Sequence, residues 1–181
     1  MNVLISGGCK NGKTGFAQDI AVKLSYSNGK RYYVATMIPY DGEDRARIEK
    51  HVADRDGMGF QTLEIPNNIE SCLEKGDRNG TFLIDSITAL LLNETFSDHS
   101  GDADPEAVNR CIKGLKEIIR NSGNAVFVTD YIYSDAIRYD DFTENYRKSL
   151  AEIDRFLARE CDTVIELCAG NVITHKGGID N

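Results

Sequence analysis

The chain has no tryptophan, only three prolines, and no apolar run near the roughly 18 residues a membrane span needs. The pattern therefore predicts no transmembrane helix. Its start, Met1-Asn2-Val3-Leu4-Ile5-Ser6, has no basic region followed by a long apolar one, so a signal peptide is not expected. The five cysteines (Cys9, Cys72, Cys111, Cys161 and Cys168) are odd in number and include no CxxC pair. That argues against a disulfide framework or zinc knuckle and for a reducing cytoplasm, with most of them small core residues. Cations are scarce: 21 Lys and Arg stand against 29 Asp and Glu, for a net charge of -8. Such a chain is a poor general partner for nucleic acid, because neutralising phosphates takes surplus cations. An anionic ligand has to be held by a local site working against the overall field.

What is present is an ordinary globular composition, 41% hydrophobic and 28% charged over 181 residues. It is enough for one domain, 1–181, with a real core. No internal repeat or low-complexity tract interrupts it. Short β-rich runs alternate with longer amphipathic ones, which predicts an α/β fold with a mostly parallel sheet. Strands are expected over 3–6, 32–36, 60–65, 81–85, 125–129, 163–167 and 172–175, the last placed to close the sheet in an antiparallel sense. Helices are expected over 14–24, 42–54, 67–74, 87–92, 107–120 and 142–160. Stretches 96–105 and 131–141 read as loops, the first acidic and mobile.

The segment Gly7-Gly8-Cys9-Lys10-Asn11-Gly12-Lys13-Thr14 fits G-x-x-x-x-G-K-[ST] between a strand and a helix. Glycines let backbone N–H groups curl around phosphate oxygens, and the helix N-terminus adds partial positive charge. In this arrangement Lys13 reaches the β- and γ-phosphates and Thr14 ligates Mg²⁺. A random chain of this length would show the pattern roughly once in a hundred, and the strand–helix context lowers that further. Asp85 ends the apolar run Thr81-Phe82-Leu83-Ile84. There it suits a Walker-B acid holding Mg²⁺, with a helix N-cap as the plainer alternative.

The segment from Asp41 to Arg55 holds Arg47, His51 and Arg55, which fall on one face if it is helical. Like charge disfavours an imidazolium between two arginines, so His51 would be neutral and nucleophilic. The arginines could grip phosphate oxygens in bidentate fashion. That suits attack on an α-phosphate to give a phosphoramidate. A solvated helix face with one incidental histidine accounts for the same residues.

Taken together these motifs resemble the bifunctional adenosylcobinamide kinase / adenosylcobinamide-phosphate guanylyltransferase family of cobalamin biosynthesis. The phosphate loop resembles that family's GGARSGKS, and Ala35-Thr36 its Ala-Thr at the second strand's end. Its D-x-E-x-x-x-R-I-x-x-H-x-x-x-R pattern is met by Asp41, Glu43, Arg47, Ile48, His51 and Arg55. Thr62-x-Glu64 matches its T-x-E, and Asp85-Ser86-Ile87-Thr88 with Asn93 resembles D-C-L-T-x-W-L-x-N. Tyr146-Arg147, Ala158, Asp162 and Ala169-Gly170 keep the family's order.

The resemblance implies a P-loop (RecA-like) three-layer α/β/α fold, with ATP or GTP and a corrinoid as substrates and Mg²⁺ as cofactor. It also implies a homotrimer. His51 would take GMP covalently, with Lys13 catalytic beside it. Nucleotide contacts would come from Gly7 through Thr14, from Ala35, Thr36 and Met37, from Val52, Ala53, Asp54 and Arg55, and from Glu64 and Asp85. Thr14 and Asp85 would hold the metal.

Two stretches depart from the family. V-[ST]-N-E-V-G is here Val128-Thr129-Asp130-Tyr131-Ile132-Tyr133, and G-x-x-N-Q is Ala151, Asp154 and Arg155. Two other readings therefore stand: a P-loop kinase with a different small-molecule acceptor, and a non-catalytic nucleotide-binding switch. His99 and His175 read as surface residues, and Tyr131, Tyr133, Tyr139 and Tyr146 as core or subunit packing, with stacking on a corrin ring or a base as the alternative.

Overall fold

A computed structural model describes residues 1–25, 29–39, 42, 52–53, 55–97, 103–133 and 135–179. Strands β1 (Asn2–Gly7), β2 (Arg31–Ala35), β3 (Phe60–Glu64), β4 (Thr81–Asp85), β5 (Asn124–Asp130), β6 (Thr163–Cys168) and β7 (Asn171–Lys176) form one sheet in the order β3-β2-β4-β5-β1-β6-β7. All neighbours are parallel except β6 and β7, which run antiparallel as the sequence suggested. The central strands β1, β4 and β5 are apolar on both faces because helices cover both.

On one face, Ala17, Ile20 and Ala21 of α1 (Lys13–Leu24) pack on Val3, Ile5, Leu83, Val126 and Val128. On the other face lie α3 (Ile87–Thr95), α4 (Ala107–Asn121) and α5 (Asp141–Glu160), after the short α2 (Cys72–Lys75). Their Leu90, Leu115, Ile118, Leu150 and Ile153 cover Leu4, Val34, Phe82, Ile84 and Phe127. The result is a three-layer α/β/α sandwich. Cys72, Cys111 and Cys161 are buried core residues, and burial pushes each thiol up to about 12. Among the described residues no helix is long and apolar enough to cross a membrane.

The helix expected over 67–74 begins later, as a 3₁₀ turn at Ile69–Ser71 leading into α2. Asn68 has φ 50, a left-handed conformation no α-helix contains, and its N–H is held by Glu94 at 2.8 Å. The helix expected over 87–92 runs on to Thr95. Its extra turn is fixed by Asn93, which donates to Thr36 O and Pro66 O. The helix expected over 42–54 lies largely outside the described residues; Gly42, Val52 and Ala53 are helical and exposed. The loop expected over 96–105 lies partly outside them. Its described end is tied by Arg110, which bonds Asp104 at 2.7 Å and Glu94 at 2.8 Å.

Beneath the end of β5, Asp154 of α5 is 6% exposed. Its Oδ2 accepts from Thr129 Oγ1 at 3.2 Å and Tyr133 OH at 3.0 Å, while its Oδ1 has no partner among the described residues. Desolvation dominates, so its carboxyl is pushed up from 3.8 to about 6 against the pull of those two hydroxyls. The folded state thus holds this proton more tightly than the unfolded chain. That contribution to stability is complete below pH 3.8 and is lost as pH rises through about 6.

Between pH 4 and 6, Asp154→Asn should therefore gain on the order of 3 kcal/mol relative to wild type, because the roughly two-unit shift is worth about 1.4 kcal/mol per unit. Urea unfolding of both proteins across that range checks it. Phe82→Ala empties a site that is 0% exposed and stacked on Tyr32 at 4.8 Å. It should cost about 3–5 kcal/mol, read from the urea midpoint.

Candidate active site

The phosphate loop leaves β1 at Gly7 and enters α1 at Lys13. A Cβ on Gly7 would lie 2.5 Å from the backbone oxygen of Leu167, so the loop passes β6 at a distance only glycine permits. Asn11 donates to the same oxygen at 2.7 Å. Lys10 (φ 56) and Gly12 (φ 80) adopt left-handed conformations of the kind that build anion-cradling nests. Gly12 caps α1 without a side-chain hydrogen bond, and the first turn carries no acid. The helix N-terminus therefore keeps its partial positive charge for a ligand.

Two carboxylates meet this turn from neighbouring strands. Thr14 Oγ1 donates to Asp85 Oδ2 at 2.9 Å, at the end of β4. Lys13 Nζ donates to Asp130 Oδ1 at 2.8 Å, at the end of β5, and to Gly8 O at 2.7 Å. The lysine side chain is 7% exposed and Asp130 26%. Asp85 is not the helix cap: Ser86 fills that place, its side chain accepting from Ala89 N.

Asp85 Oδ2 also accepts from Tyr33 OH at 2.8 Å. The Arg55 guanidinium stacks 4.1 Å over the Tyr33 ring and donates to Thr62 Oγ1 at 2.9 Å. Arg55, Tyr33, Asp85 and Thr14 thus form one continuous line of contacts. It runs from four residues beyond His51 in sequence to the first turn of α1.

Of the residues singled out from sequence, the structure brings Gly7 through Thr14, Asp85 and Arg55 together. Ala35 ends β2 directly beside Asp85 in register. Thr36 is wholly buried, and its hydroxyl is engaged on both sides, donating to Ser86 O at 2.8 Å and accepting from Ser86 N at 2.7 Å. Met37 is half-buried, whereas Val52, Ala53 and Glu64 are exposed, Glu64 at the end of edge strand β3. His51 and Asp54 lie outside the described residues, as does His99. His175 is exposed, as expected, 2.8 Å from Glu166. Tyr131 and Tyr133 pack edge to face at 4.9 Å, and Tyr146 donates to Thr88 O.

Sequence reasoning missed two members of the site. Asp130 closes the strand one residue after the apolar run Ala125-Val126-Phe127-Val128, a signal close to the one that marked Asp85. Tyr33 carried no signal, since a tyrosine in a strand is ordinarily core.

The comparisons agree with this architecture. The KaiC-like protein PH0186 from the hyperthermophilic archaeon Pyrococcus horikoshii OT3 matches over 97% of this chain and 78% of that one, at 16% identity and a TM-score of 0.56. The flagellar accessory protein FlaH from Methanocaldococcus jannaschii matches over 98% and 78%, at 13% identity and a TM-score of 0.55. A solved ATPase domain matches over 97% and 76%, at 13% identity and a TM-score of 0.58. At such identities the likeness carries the fold alone, a P-loop, RecA-like α/β fold. No curated protein matches the chain. The family model CobU, described as cobinamide kinase / cobinamide phosphate guanyltransferase, matches residues 3–174. The chain, nearly all of it, therefore belongs to this family of nucleotide- and cobinamide-using transferases of cobalamin synthesis.

Proposed function

We propose that the chain, as one domain over 1–181, carries out both half-reactions of its family. In the first, the hydroxyl oxygen of the aminopropanol arm of adenosylcobinamide attacks the γ-phosphorus of ATP or GTP. The bond to the β–γ bridging oxygen breaks and the diphosphate leaves. In the second, the neutral His51 imidazole attacks the α-phosphorus of GTP and pyrophosphate leaves. A phosphate oxygen of the phosphorylated acceptor then takes the GMP, and His51 is released. A covalent intermediate of this kind predicts ping-pong kinetics.

The observation that carries this reading is the line from Arg55 through Tyr33 and Asp85 to Thr14. It ties the end of the histidine segment to the phosphate loop, as a shared nucleotide site requires. Lys13 and the loop N–H groups hold the triphosphate, and positioning plus electrostatics supply most of the rate in such transfers. The proposed nucleotide contacts are the loop residues Gly7–Thr14, the second-strand end Ala35–Met37, the segment Val52–Arg55, and Glu64 and Asp85.

Thr14 and Asp85 are hard oxygen donors 2.9 Å apart. No group of three or more His, Cys, Asp or Glu suited to a metal occurs among the described residues. That donor set fits Mg²⁺, which takes few protein ligands and fills its shell with water and phosphate oxygens. When bound, the ion neutralises charge on the reacting phosphates. A cytoplasmic homotrimer completes the reading.

Intact mass of the protein after incubation with Mg²⁺ and GTP alone tests it. An acid-labile GMP adduct is expected on wild type and absent from His51→Ala. Phosphoryl transfer to adenosylcobinamide without any adduct would leave a kinase only. Tight GTP binding with neither would leave a switch.

A further inference from the structure

Alcohol phosphorylation needs a group that takes the hydroxyl proton as the oxygen attacks. The acids at the C-terminal edge of the described sheet differ sharply in their fitness for that task. Glu64 ends β3, the edge strand, with β2, β4 and β5 between it and the phosphate-loop strand. Glu166 faces the other side of the sheet and bonds His175 at 2.8 Å. Asp85 Oδ2 already accepts from Thr14 and Tyr33. Asp130 ends the strand between β4 and β1, opposite Gly7 in register.

Side chains alternate along a strand, and Val126 and Val128 face α1. Asp130, two residues on, therefore shares the face of the phosphate loop, and its bond to Lys13 bears this out. Its backbone is fixed. Asp130 N donates to Thr88 Oγ1 at 3.1 Å, and the next amide, Tyr131 N, donates to Gly7 O at 2.9 Å. Its carboxylate is 26% exposed, so a substrate can reach it. The family's V-[ST]-N-E-V-G carries its acid one position further along. This chain has Tyr131 there, and its acid at 130.

We infer that Asp130 is the base of the phosphoryl-transfer half-reaction, resting against Lys13 until a triphosphate draws the ammonium away. The inference rests on the kinase reading above. The balance is simple. The acceptor O–H proton goes to Asp130, the new O–P bond forms at the γ-phosphorus, and the bond to the β–γ bridging oxygen breaks. Lys13 stays a cation throughout, exchanging a carboxylate for phosphate oxygens.

The test pairs equilibrium nucleotide binding with initial rates of phosphoryl transfer from ATP or GTP to adenosylcobinamide, for wild type, Asp130→Asn and Asp130→Glu. Asp130→Asn should lower kcat about 10²–10⁴-fold. Its nucleotide affinity should be unchanged or tighter, because Lys13 loses a competing anion. Asp130→Glu should recover part of the rate. A kcat for Asp130→Asn within about threefold of wild type overturns the assignment. So does a parallel loss of binding and rate, which would make Asp130 a strut for the loop. A wild type that binds nucleotide yet phosphorylates no adenosylcobinamide defeats the kinase reading itself, and this inference with it.

Discussion

Two carboxylates pull on the first turn of one helix. Asp85 holds Thr14 and Asp130 holds Lys13, from the ends of neighbouring strands, and the candidate active site is built around those bonds. The lysine is 7% exposed, and an ammonium that buried needs an anionic or strongly polar partner. In the structure it has a carboxylate and the Gly8 carbonyl, while a triphosphate would offer several oxygens at once. The loop is held ready by a contact whose partner can be exchanged, not by one that must be broken outright. Removing a partner from a buried pair costs far more than swapping it for another anion.

The rest of the edge is arranged to hold those acids still. Asn93 of α3 ties the ends of β2 and β3 by donating to Thr36 O and Pro66 O. Thr36 in turn clasps both backbone groups of Ser86, the residue after Asp85. Tyr33 spans from β2 to Asp85, and Arg55 lies over the ring. Together they set where the Asp85 carboxylate points, because each hydrogen bond fixes the direction of an oxygen lone pair.

Much of this was legible from residue order. The phosphate loop showed because its glycines and its lysine obey a spacing that backbone geometry imposes. The parallel sheet showed because strands covered on both faces become unbroken apolar runs. Asp85 showed because an acid closes one such run. Asp130 closes another, yet its role depends on register: it matters because β5 lies between β4 and β1, and no local pattern states strand order. The stacking of Arg55 on Tyr33 is likewise a long-range contact between residues that read locally as a charged helix and a core strand. The late start of the helix near 69 turned on the left-handed Asn68, whose conformation is fixed by Glu94, a residue 26 positions away.

Register also explains why the two departures from the family pattern belong together. The segment 128–133 and the pair 154–155 are distant in sequence but meet under the end of β5. Thr129 and Tyr133 both donate to Asp154 Oδ2. Where the family has a glycine, this chain has Tyr133, and where it has an asparagine, this chain has an acid whose Oδ2 accepts from the Tyr133 hydroxyl. With glycine at 133, Asp154 Oδ2 would keep only the Thr129 hydroxyl as a donor. Alternation then divides the strand end between two faces. Thr129 points down to Asp154 and fixes the strand from below. Asp130 points up to Lys13, where the phosphates of a nucleotide would lie. A substitution on the lower face can thus shift the reactive upper one by moving the strand that both share.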